Sequence, residues 1–263
     1  MTDPRSLRSL VLVPAAALVA LAMVLAGCAN KAEQYDPSVA VEGEPVAAST
    51  VLTIDVQNDA GSVTIVASKR VKAPEITARL RSEVGSRFDV PEQHSVSATL
   101  TQGDSPTLRV TNLPEGAPAG LLTDIRIVVP RIGGVSVRNG GGSVSITGAT
   151  GRVDVDNGFS NGRGGEIELR FAEPLTNEVR ATTPRGGILA VAPKGSKGVL
   201  DLQSDDGQAG LYAASEHVND VRSQRSRVTG VLNGGENAIS LRSGRGRARL
   251  VINSKPISLV DVP

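Results

Sequence analysis

One motif recurs along most of this chain: two short strands of alternating apolar and polar residues, joined by a turn rich in glycine or asparagine. Residues 135–146, VSVRNGGGSVSI, show it clearly. Its copies begin at residues 52, 135, 153, 179, 200, 221 and 239. Period-two alternation predicts strands with one buried face, and the Asn-Gly and Gly-Gly pairs supply the positive φ angles of tight corners. From residue 135 onward the copies start about 18 to 26 residues apart, a period typical of stacked repeat proteins.

The amino-acid composition limits how such strands can build a core. Aromatic residues make up only 2% of the chain and tryptophan is absent, so the core must come from Val, Ile, Leu and Ala. Further alternating segments lie at 75–80, 95–101, 107–111 and 124–129. No segment after residue 50 has the periodicity of an amphipathic helix. The chain is therefore predicted to be all-β, a β-solenoid- or β-helix-like array of short strands with Gly/Asn turns. An N-terminal β layer is expected to join this array.

The N-terminus has the pattern of an export signal. Arg5 and Arg8 precede an apolar run at 10–25, and the run ends in Leu-Ala-Gly-Cys with its cysteine at Cys28. A basic start, a short apolar stretch and small residues before a cleavage point are typical of a secretory signal peptide. Leu-Ala-Gly-Cys resembles a bacterial lipobox, which implies cleavage before Cys28 and lipidation of its thiol. Since Cys28 is the only cysteine, no disulfide framework is expected.

These features predict the organisation of the whole chain. We expect a signal peptide at 1–27, the lipidated Cys28 with a flexible tether at 28–50, one β domain at 51–252, and a tail or capping strand at 253–263. Within the domain, N-terminal strands at 51–130 precede the repeats at 131–252. Ala29 occupies the position where an inner-membrane retention signal has aspartate, which favours the outer membrane over the inner membrane in a double-membraned bacterium.

The order of the motifs is similar to that of a known bacterial family. A first copy at 54–65, a strand IRIVVP at 125–130 and tandem copies from 135 onward resemble the bacterial putative-adhesin family described as domain of unknown function 4097. The resemblance covers about residues 51–252. It implies a β-solenoid-like fold on exported or envelope proteins, and it brings no catalytic residues to this chain.

One stretch of the sequence matches a motif of serine hydrolases. The stretch GFSNG at 158–162 matches G-x-S-x-G, with Ser160 at the nucleophile position, and Asp201, Asp205, Asp206 and His217 follow in the chain order of such triads. A nucleophile elbow, however, needs a helix after the serine, whereas glycines and another alternating segment follow Ser160. We interpret Ser160 as a turn residue and predict no catalytic residue.

Metal chemistry has little support in the sequence. His94 and His217 are the only histidines, and neither has a second histidine, cysteine or carboxylate at the spacing of metal ligands. No metal and no other cofactor is expected.

Two carboxylate pairs alternate along predicted strands: Asp154 with Asp156, and Glu166 with Glu168. Such pairs bind calcium or perform acid–base catalysis in some polysaccharide-cleaving β-helices. They are equally typical of a solvated outer face, and the scarcity of aromatic residues that could hold sugar rings favours that interpretation.

Arginine is concentrated near the C-terminus, where Glu236 is the only acidic residue between positions 222 and 249. The arginines of this stretch are Arg222, Arg225, Arg227, Arg242, Arg245, Arg247 and Arg249. They could form a patch for an anionic ligand, because guanidinium groups bind phosphate and carboxylate in bidentate geometry. Alternatively they form a charged cap that keeps the end of the array soluble, and this second interpretation is favoured.

Together these observations predict an exported envelope protein, lipid-anchored to the membrane through Cys28, with a structural or adhesive role and no enzymatic activity. The expected partners are the membrane and an anionic envelope polymer or another envelope protein. Nucleic acid is not expected, because export and the lack of stacking aromatics argue against it. One alternative is a carbohydrate-active β-helix, a lyase or hydrolase, which would need Asp154, Asp156, Asp201 and Asp205 in one groove. Another is an envelope-assembly accessory protein that binds a protein along an exposed sheet edge.

Overall fold

The computed structural model describes residues 38–82, 96–112, 121–159, 162–254 and 256. In these residues the only helical element is a 3-10 turn at Ser215–His217, and the other regular elements are β-strands, which confirms the all-β prediction. The predicted signal peptide, the lipidation site Cys28, and both His94 and Ser160 lie outside the described residues.

The strands of the first half are β1 (Val41–Glu42), β2 (Leu52–Asn58), β3 (Val63–Ala67), β4 (Glu75–Ser82), β5 (Ser97–Thr101), β6 (Thr107–Asn112), β7 (Leu121–Val129), β8 (Ile132–Asn139) and β9 (Val144–Ala149). Those of the second half are β10 (Val153–Asn157), β11 (Ile167–Phe171), β12 (Val179–Thr183), β13 (Ile188–Pro193), β14 (Gly198–Ser204), β15 (Gln208–Tyr212), β16 (Val218–Ser223), β17 (Arg227–Leu232), β18 (Ala238–Ser243) and β19 (Arg247–Asn253).

Most of the strands alternate along the chain between two parallel ladders. Ladder A contains, in spatial order, β6, β2, β8, β10, β12, β18 and β14. Ladder B contains, in the matching order, β7, β3, β9, β11, β13, β19 and β15. Each layer of the protein is thus one strand of ladder A followed in sequence by one strand of ladder B. A bridge between Ile132 of β8 and Ala149 of β9 joins the ladders into one nearly closed sheet.

The layers are not stacked in sequence order. The first motif copy, β2 and β3, lies between the layer of β6 and β7 and the layer of β8 and β9. The last copy, β18 and β19, is inserted between the layer of β12 and β13 and the layer of β14 and β15. Both the first and the last motif copy are therefore internal layers, held by parallel strands on both sides.

Alternate side chains of both ladders point into one aliphatic core. In ladder A one inward column consists of Val110, Val56, Val137, Val155, Ala181, Leu241 and Leu202, which are neighbours in register. Among the described residues Phe171 is the largest side chain that is almost fully buried, and the next largest are leucines and isoleucines. The core is therefore built from small aliphatic layers, as the composition predicts.

A row of buried polar side chains follows the ends of the ladder A strands. Asn112 donates to Asn58 at 2.6 Å, Asn58 donates to Asn139 at 2.9 Å, and Asn139 donates to Asn157 at 2.9 Å. Further along the stack, three hydroxyl side chains donate to turn carbonyls instead: Thr183, Ser243 and Ser204. This row satisfies polar groups of the stacked turns that would otherwise be buried without a partner.

Antiparallel strands close the ends of the ladders. At one end β5 pairs with β6 and β4 pairs with β7. At the other end of ladder A, β17 pairs with β14, and β16 pairs with β17. The degenerate copy at residue 221 therefore forms this end hairpin and does not form a parallel layer. A break in register between Asn219 and Arg222 distorts β16, and such bulges hinder the addition of further strands.

Candidate functional site

One regular surface of the described residues is the side of ladder A that faces away from the core, named outer face A here. Because the strands are in register, its side chains form two rows across the seven strands. Row 1 is Arg109, Asp55, Ser136, Asp154, Arg180, Ser240 and Asp201. Row 2 is Thr111, Gln57, Arg138, Asp156, Thr182, Arg242 and Gln203. Every residue in both rows is polar, so the two rows are hydrophilic across all seven strands.

Ion pairs neutralise the charges at both ends of outer face A. At one end Arg109 Nε lies 3.1 Å from Asp55 Oδ2 on the neighbouring strand. At the other end Arg227 of β17 makes two hydrogen bonds to Asp201, at 2.9 and 3.2 Å. These partly exposed pairs contribute little to stability, and they leave little free charge for a ligand.

The middle of outer face A differs, because several charged groups there lack an ion-pair partner. A depression of about 220 Å³ is lined by Ser136, Val137, Arg138, Asp154, Val155, Asp156, Arg180 and Thr182. Within the described part of the chain, Asp156 and Arg180 make no ion pair. Asp154 lies 3.6 Å from Arg152, which also contacts Glu178 at 3.3 Å. The depression therefore exposes both donors and acceptors of hydrogen bonds that a ligand could use.

An exposed aromatic ring lies beside this depression. Phe159 lies two residues after the end of β10 and is 50% exposed, although it is one of the few aromatic residues of the chain. The guanidinium carbon of Arg138 lies 5.7 Å from the centroid of its ring, a cation–π distance. Arg138 is thereby positioned between the apolar ring and the polar floor of the depression.

The seven C-terminal arginines are distributed over different surfaces. Arg242 lies on β18 of ladder A, Arg222 and Arg227 lie on the end strands β16 and β17, and Arg247 and Arg249 lie on β19 of ladder B. The remaining two are in turns, Arg225 between β16 and β17 and Arg245 between β18 and β19.

Several of these arginines have acidic neighbours. Arg227 pairs with Asp201, as described above, and Arg245 Nε lies 3.8 Å from Asp206. Arg242 lies 4.0 Å from Asp205. Ion pairing therefore reduces the positive charge that this group offers to an anionic ligand, and whether the group binds one stays a prediction.

The carboxylates required by a carbohydrate-active enzyme do not converge. Asp154 and Asp201 both belong to row 1, but the strands β12 and β18 lie between them. Three strand spacings correspond to about 14 Å, beyond the roughly 5 to 9.5 Å between the carboxyl groups of glycosidases. Asp205 is in the turn after β14, and Glu168 is bound to Arg170 on ladder B at 2.6 Å. The structure thus offers no groove that combines the four aspartates.

The hydrolase motif has no supporting geometry in the described residues. Ser160 itself lies outside them, but the segment from residue 162 to the start of β11 contains no helix, and β11 is a strand. His217, in the 3-10 turn, lies 3.8 Å from Glu216. Among the side chains that the structure describes, no group of three or more His, Cys, Asp or Glu residues could hold a metal ion. No helix in the same residues has the length and apolar character to cross a bilayer.

Of the residues that line the central depression, the sequence patterns drew attention only to Asp154 and Asp156, as a carboxylate pair, although a signal for the others exists. Arg138, Asp156 and Thr182 occupy the same position in three successive motif copies, as do Ser136, Asp154 and Arg180 in the other row. Aligning the copies by their apolar positions therefore places these side chains next to each other.

Comparison with known proteins gives only distant similarities. No protein-family profile matches the chain, and no curated protein matches it. A putative cell adhesion protein from Clostridium sporogenes is 9% identical with a TM-score of 0.47, covering 84% of this chain and all of that one. A putative adhesin from Bacteroides fragilis is 13% identical with a TM-score of 0.33, covering 84% of this chain and 98% of the other. A putative lipid binding protein from Parabacteroides distasonis is 10% identical with a TM-score of 0.22, covering 85% and 95% respectively. Similarity at this level assigns neither a family nor an activity to the chain.

Proposed function

We propose that this chain is a lipid-anchored envelope protein that binds a ligand through outer face A and catalyses no reaction. The observation that carries the proposal is the register of the two polar rows, which extend across seven parallel strands and contain unpaired charges only near their middle. In this proposal the layers form a β-solenoid-like array. Such an array presents a long, regular surface and gains affinity from many weak contacts.

Rigidity supports this passive mechanism. Each strand in the middle of ladder A is paired on both sides, and the buried asparagine row fixes the turns of successive layers. A surface whose side chains are held in place loses little conformational entropy when it binds a ligand. It therefore binds more tightly than a flexible loop of the same composition would.

Attachment to the membrane is the second part of the proposal. Lipidation of Cys28 would leave a short tether before β1, which begins at Val41 and pairs with β5 of the domain. Several acyl chains anchor a protein stably, since each buried methylene contributes about 0.8 kcal/mol. The location that we propose is the cell envelope, with the outer membrane favoured.

The anchor is tested by the variant Cys28→Ser in the full chain, expressed in a bacterium that lipidates such proteins. We expect radiolabelled palmitate to be incorporated into the wild type and not into the variant, and we expect only the wild type to enter the detergent phase on phase separation. Equal labelling of both proteins would show that Cys28 is not the anchor.

The binding role is tested with the mature lipoprotein in mild detergent, mixed with purified envelope fractions over a series of salt concentrations. The variant Arg138→Ser/Arg180→Ser removes two arginines from the depression, and Arg245→Ser/Arg247→Ser removes two exposed arginines elsewhere. We expect only the first pair of substitutions to weaken sedimentation with the envelope, by about tenfold or more. If only the second pair of substitutions weakens sedimentation, the binding site lies at the C-terminal arginines. If the wild type does not bind the envelope fractions, the binding role is excluded.

A further inference from the structure

The charges around the depression on outer face A balance one another. The charged groups that line it are the cations Arg138 and Arg180 and the anions Asp154 and Asp156. Beside them Arg152 pairs with both Asp154 and Glu178. A polyanion or a polycation gains no long-range attraction from a neutral group of charges. A ligand of this site must therefore be recognised by short-range hydrogen bonds, which favours an uncharged polar molecule.

The hydrogen-bonding groups of the depression suit hydroxyl groups. The carboxylate of Asp156 accepts hydrogen bonds and the guanidinium of Arg180 donates up to five, and neither has an ion-pair partner among the described residues. The hydroxyls of Ser136 and Thr182 lie in the same depression and can do both. Donors and acceptors alternate between neighbouring strands about 4.8 Å apart, a spacing over which the hydroxyl groups of a sugar ring can reach both kinds of group.

Phe159 supplies the apolar contact that a sugar ring also needs. Hydrophobic groups and a small number of placed polar groups are the usual lining of small-molecule sites. The ring is half exposed, and its contact with Arg138 holds it beside the depression. A sugar whose hydroxyls bind the polar floor could place its C–H face against this ring.

We propose that the depression around Asp156 and Arg180 binds one unit of an uncharged glycan, with Phe159 as its apolar platform. The proposal rests on outer face A being the binding surface of the protein. The volume of about 220 Å³ is below the roughly 300 to 1,000 Å³ of sites for drug-sized ligands, so it suits a single sugar unit of a longer chain. The neighbouring polar side chains of rows 1 and 2 would contact adjacent units.

The test uses the mature lipoprotein in detergent and a set of neutral oligosaccharides, namely β-1,4-glucan, mannan and galactan fragments, with polygalacturonate as the polyanionic probe. Binding is measured by saturation-transfer NMR and by titration calorimetry. The variants are Asp156→Asn and Phe159→Ala. Their matched controls are Glu168→Gln, an ion-paired carboxylate on ladder B, and Tyr212→Ala, an aromatic residue of ladder B that is 59% exposed.

We expect at least one neutral oligosaccharide to bind, with an affinity that hardly changes with salt. Asp156→Asn and Phe159→Ala should each weaken it about tenfold, whereas both controls stay within about twofold of the wild type. If the protein binds envelope fractions but none of the neutral sugars, the glycan assignment is wrong while the binding function stands. Salt-sensitive binding of polygalacturonate alone would assign the depression to a charged polymer instead. If neither envelope fractions nor sugars bind, both proposals are wrong.

Discussion

The side-chain amide of Asn58 donates a hydrogen bond of 2.9 Å to the side-chain oxygen of Asn139, although 81 positions separate the two residues. Asn139 is fully buried and also donates to Asn157 at 2.9 Å and to the carbonyl oxygen of Gly141 at 2.9 Å. One side chain therefore connects three layers of ladder A and a turn. A buried network of this kind is stabilising only while every member keeps its partners.

We expect Asn139→Ala to destabilise the protein by about 2 to 4 kcal/mol, since each buried polar group left without a partner costs about 1 to 3 kcal/mol. The measurement is chemical denaturation followed by circular dichroism. Asn237→Ala is the matched control, because Asn237 also donates a hydrogen bond of 2.9 Å, to Asn177, but at an exposed site. The control should cost about 1 kcal/mol or less. Equal losses of unfolding free energy in the two variants would show that burial of the asparagine row does not contribute to stability.

The stacked turns impose a second constraint, on glycine. Gly246 has a φ of +131°, and a Cβ placed on it would lie 2.5 Å from the carbonyl oxygen of Gly186 in the neighbouring layer. We expect Gly246→Ala to be destabilising both through its backbone conformation and through this overlap. Gly103 is the control: its φ is +153°, but a Cβ there would meet nothing within 4 Å. Thermal unfolding should show Gly246→Ala to be less stable than Gly103→Ala by at least about 1 kcal/mol. If the two variants unfold alike, the layers do not approach as closely as the structure shows.

An ion pair at one end of ladder B gives a prediction about pH. Arg81 Nη2 donates to Asp124 Oδ1 at 2.8 Å, and the backbone N–H of Ser62 donates to the same oxygen at 2.8 Å. The hydrogen bond with Asp124 raises the pKa of Arg81 above its ordinary value. Stability from a raised pKa is fully present below the unfolded-state value and is lost only when the pH rises through the folded-state value. This contribution of Arg81 is therefore constant throughout the neutral and mildly alkaline range.

We accordingly expect Asp124→Asn to cost about 1 kcal/mol, and to cost the same at about pH 7 and pH 9. Denaturant midpoints of wild type and variant at both values, in low and high salt, provide the measurement. Asp104→Asn, at an exposed turn position with no ion pair in the described residues, should have no effect. A cost of Asp124→Asn that disappears on going to pH 9 would mean that a group other than the Arg81 guanidinium is the charged partner.

The strands of this fold could be predicted from the sequence, but their spatial order could not. Alternation places Val135 and Val153 at matching positions of their copies, and the structure pairs them in register. The same alternation is present in every copy, so it does not specify which copy lies next to which. Parallel pairing needs only a free backbone edge and a matching apolar face, and several copies offer both. The insertion of β18 between β12 and β14 is therefore determined by tertiary packing and cannot be predicted from the local sequence pattern.

The same limitation applies to the candidate site. Arg138, Asp156 and Thr182 come from three copies that are consecutive in both sequence and space, so alignment of the copies brings them together. Asp201 belongs to the next strand pair in sequence, but the inserted layer moves it one strand further from Asp154. The arginines of the C-terminal stretch likewise separate, because Arg242 and Arg247 belong to the two different ladders of that inserted layer.

The inserted layer leads to a prediction about cooperativity. Leu241 of β18 is fully buried, and its neighbours in register are Ala181 of β12 and Leu202 of β14. We expect Leu241→Ala to cost about 2 to 5 kcal/mol, the usual range for a leucine removed from a close-packed core. Since β18 is paired on both sides, amide hydrogen exchange should accelerate in β12 and in β14 alike.

Leu211→Ala is the control, because Leu211 is only partly buried and lies on β15, which pairs with β19 alone among the described strands of ladder B. That substitution should cost less and should accelerate exchange mainly in β15. If the layers behaved as independent units stacked in sequence order, the last copy would be an end, and Leu241→Ala would leave β12 protected. If the amides of β12 stay protected in the Leu241→Ala variant, the inserted order of the layers is contradicted. If they lose protection, the layer of β18 and β19 stabilises both of the layers that it lies between.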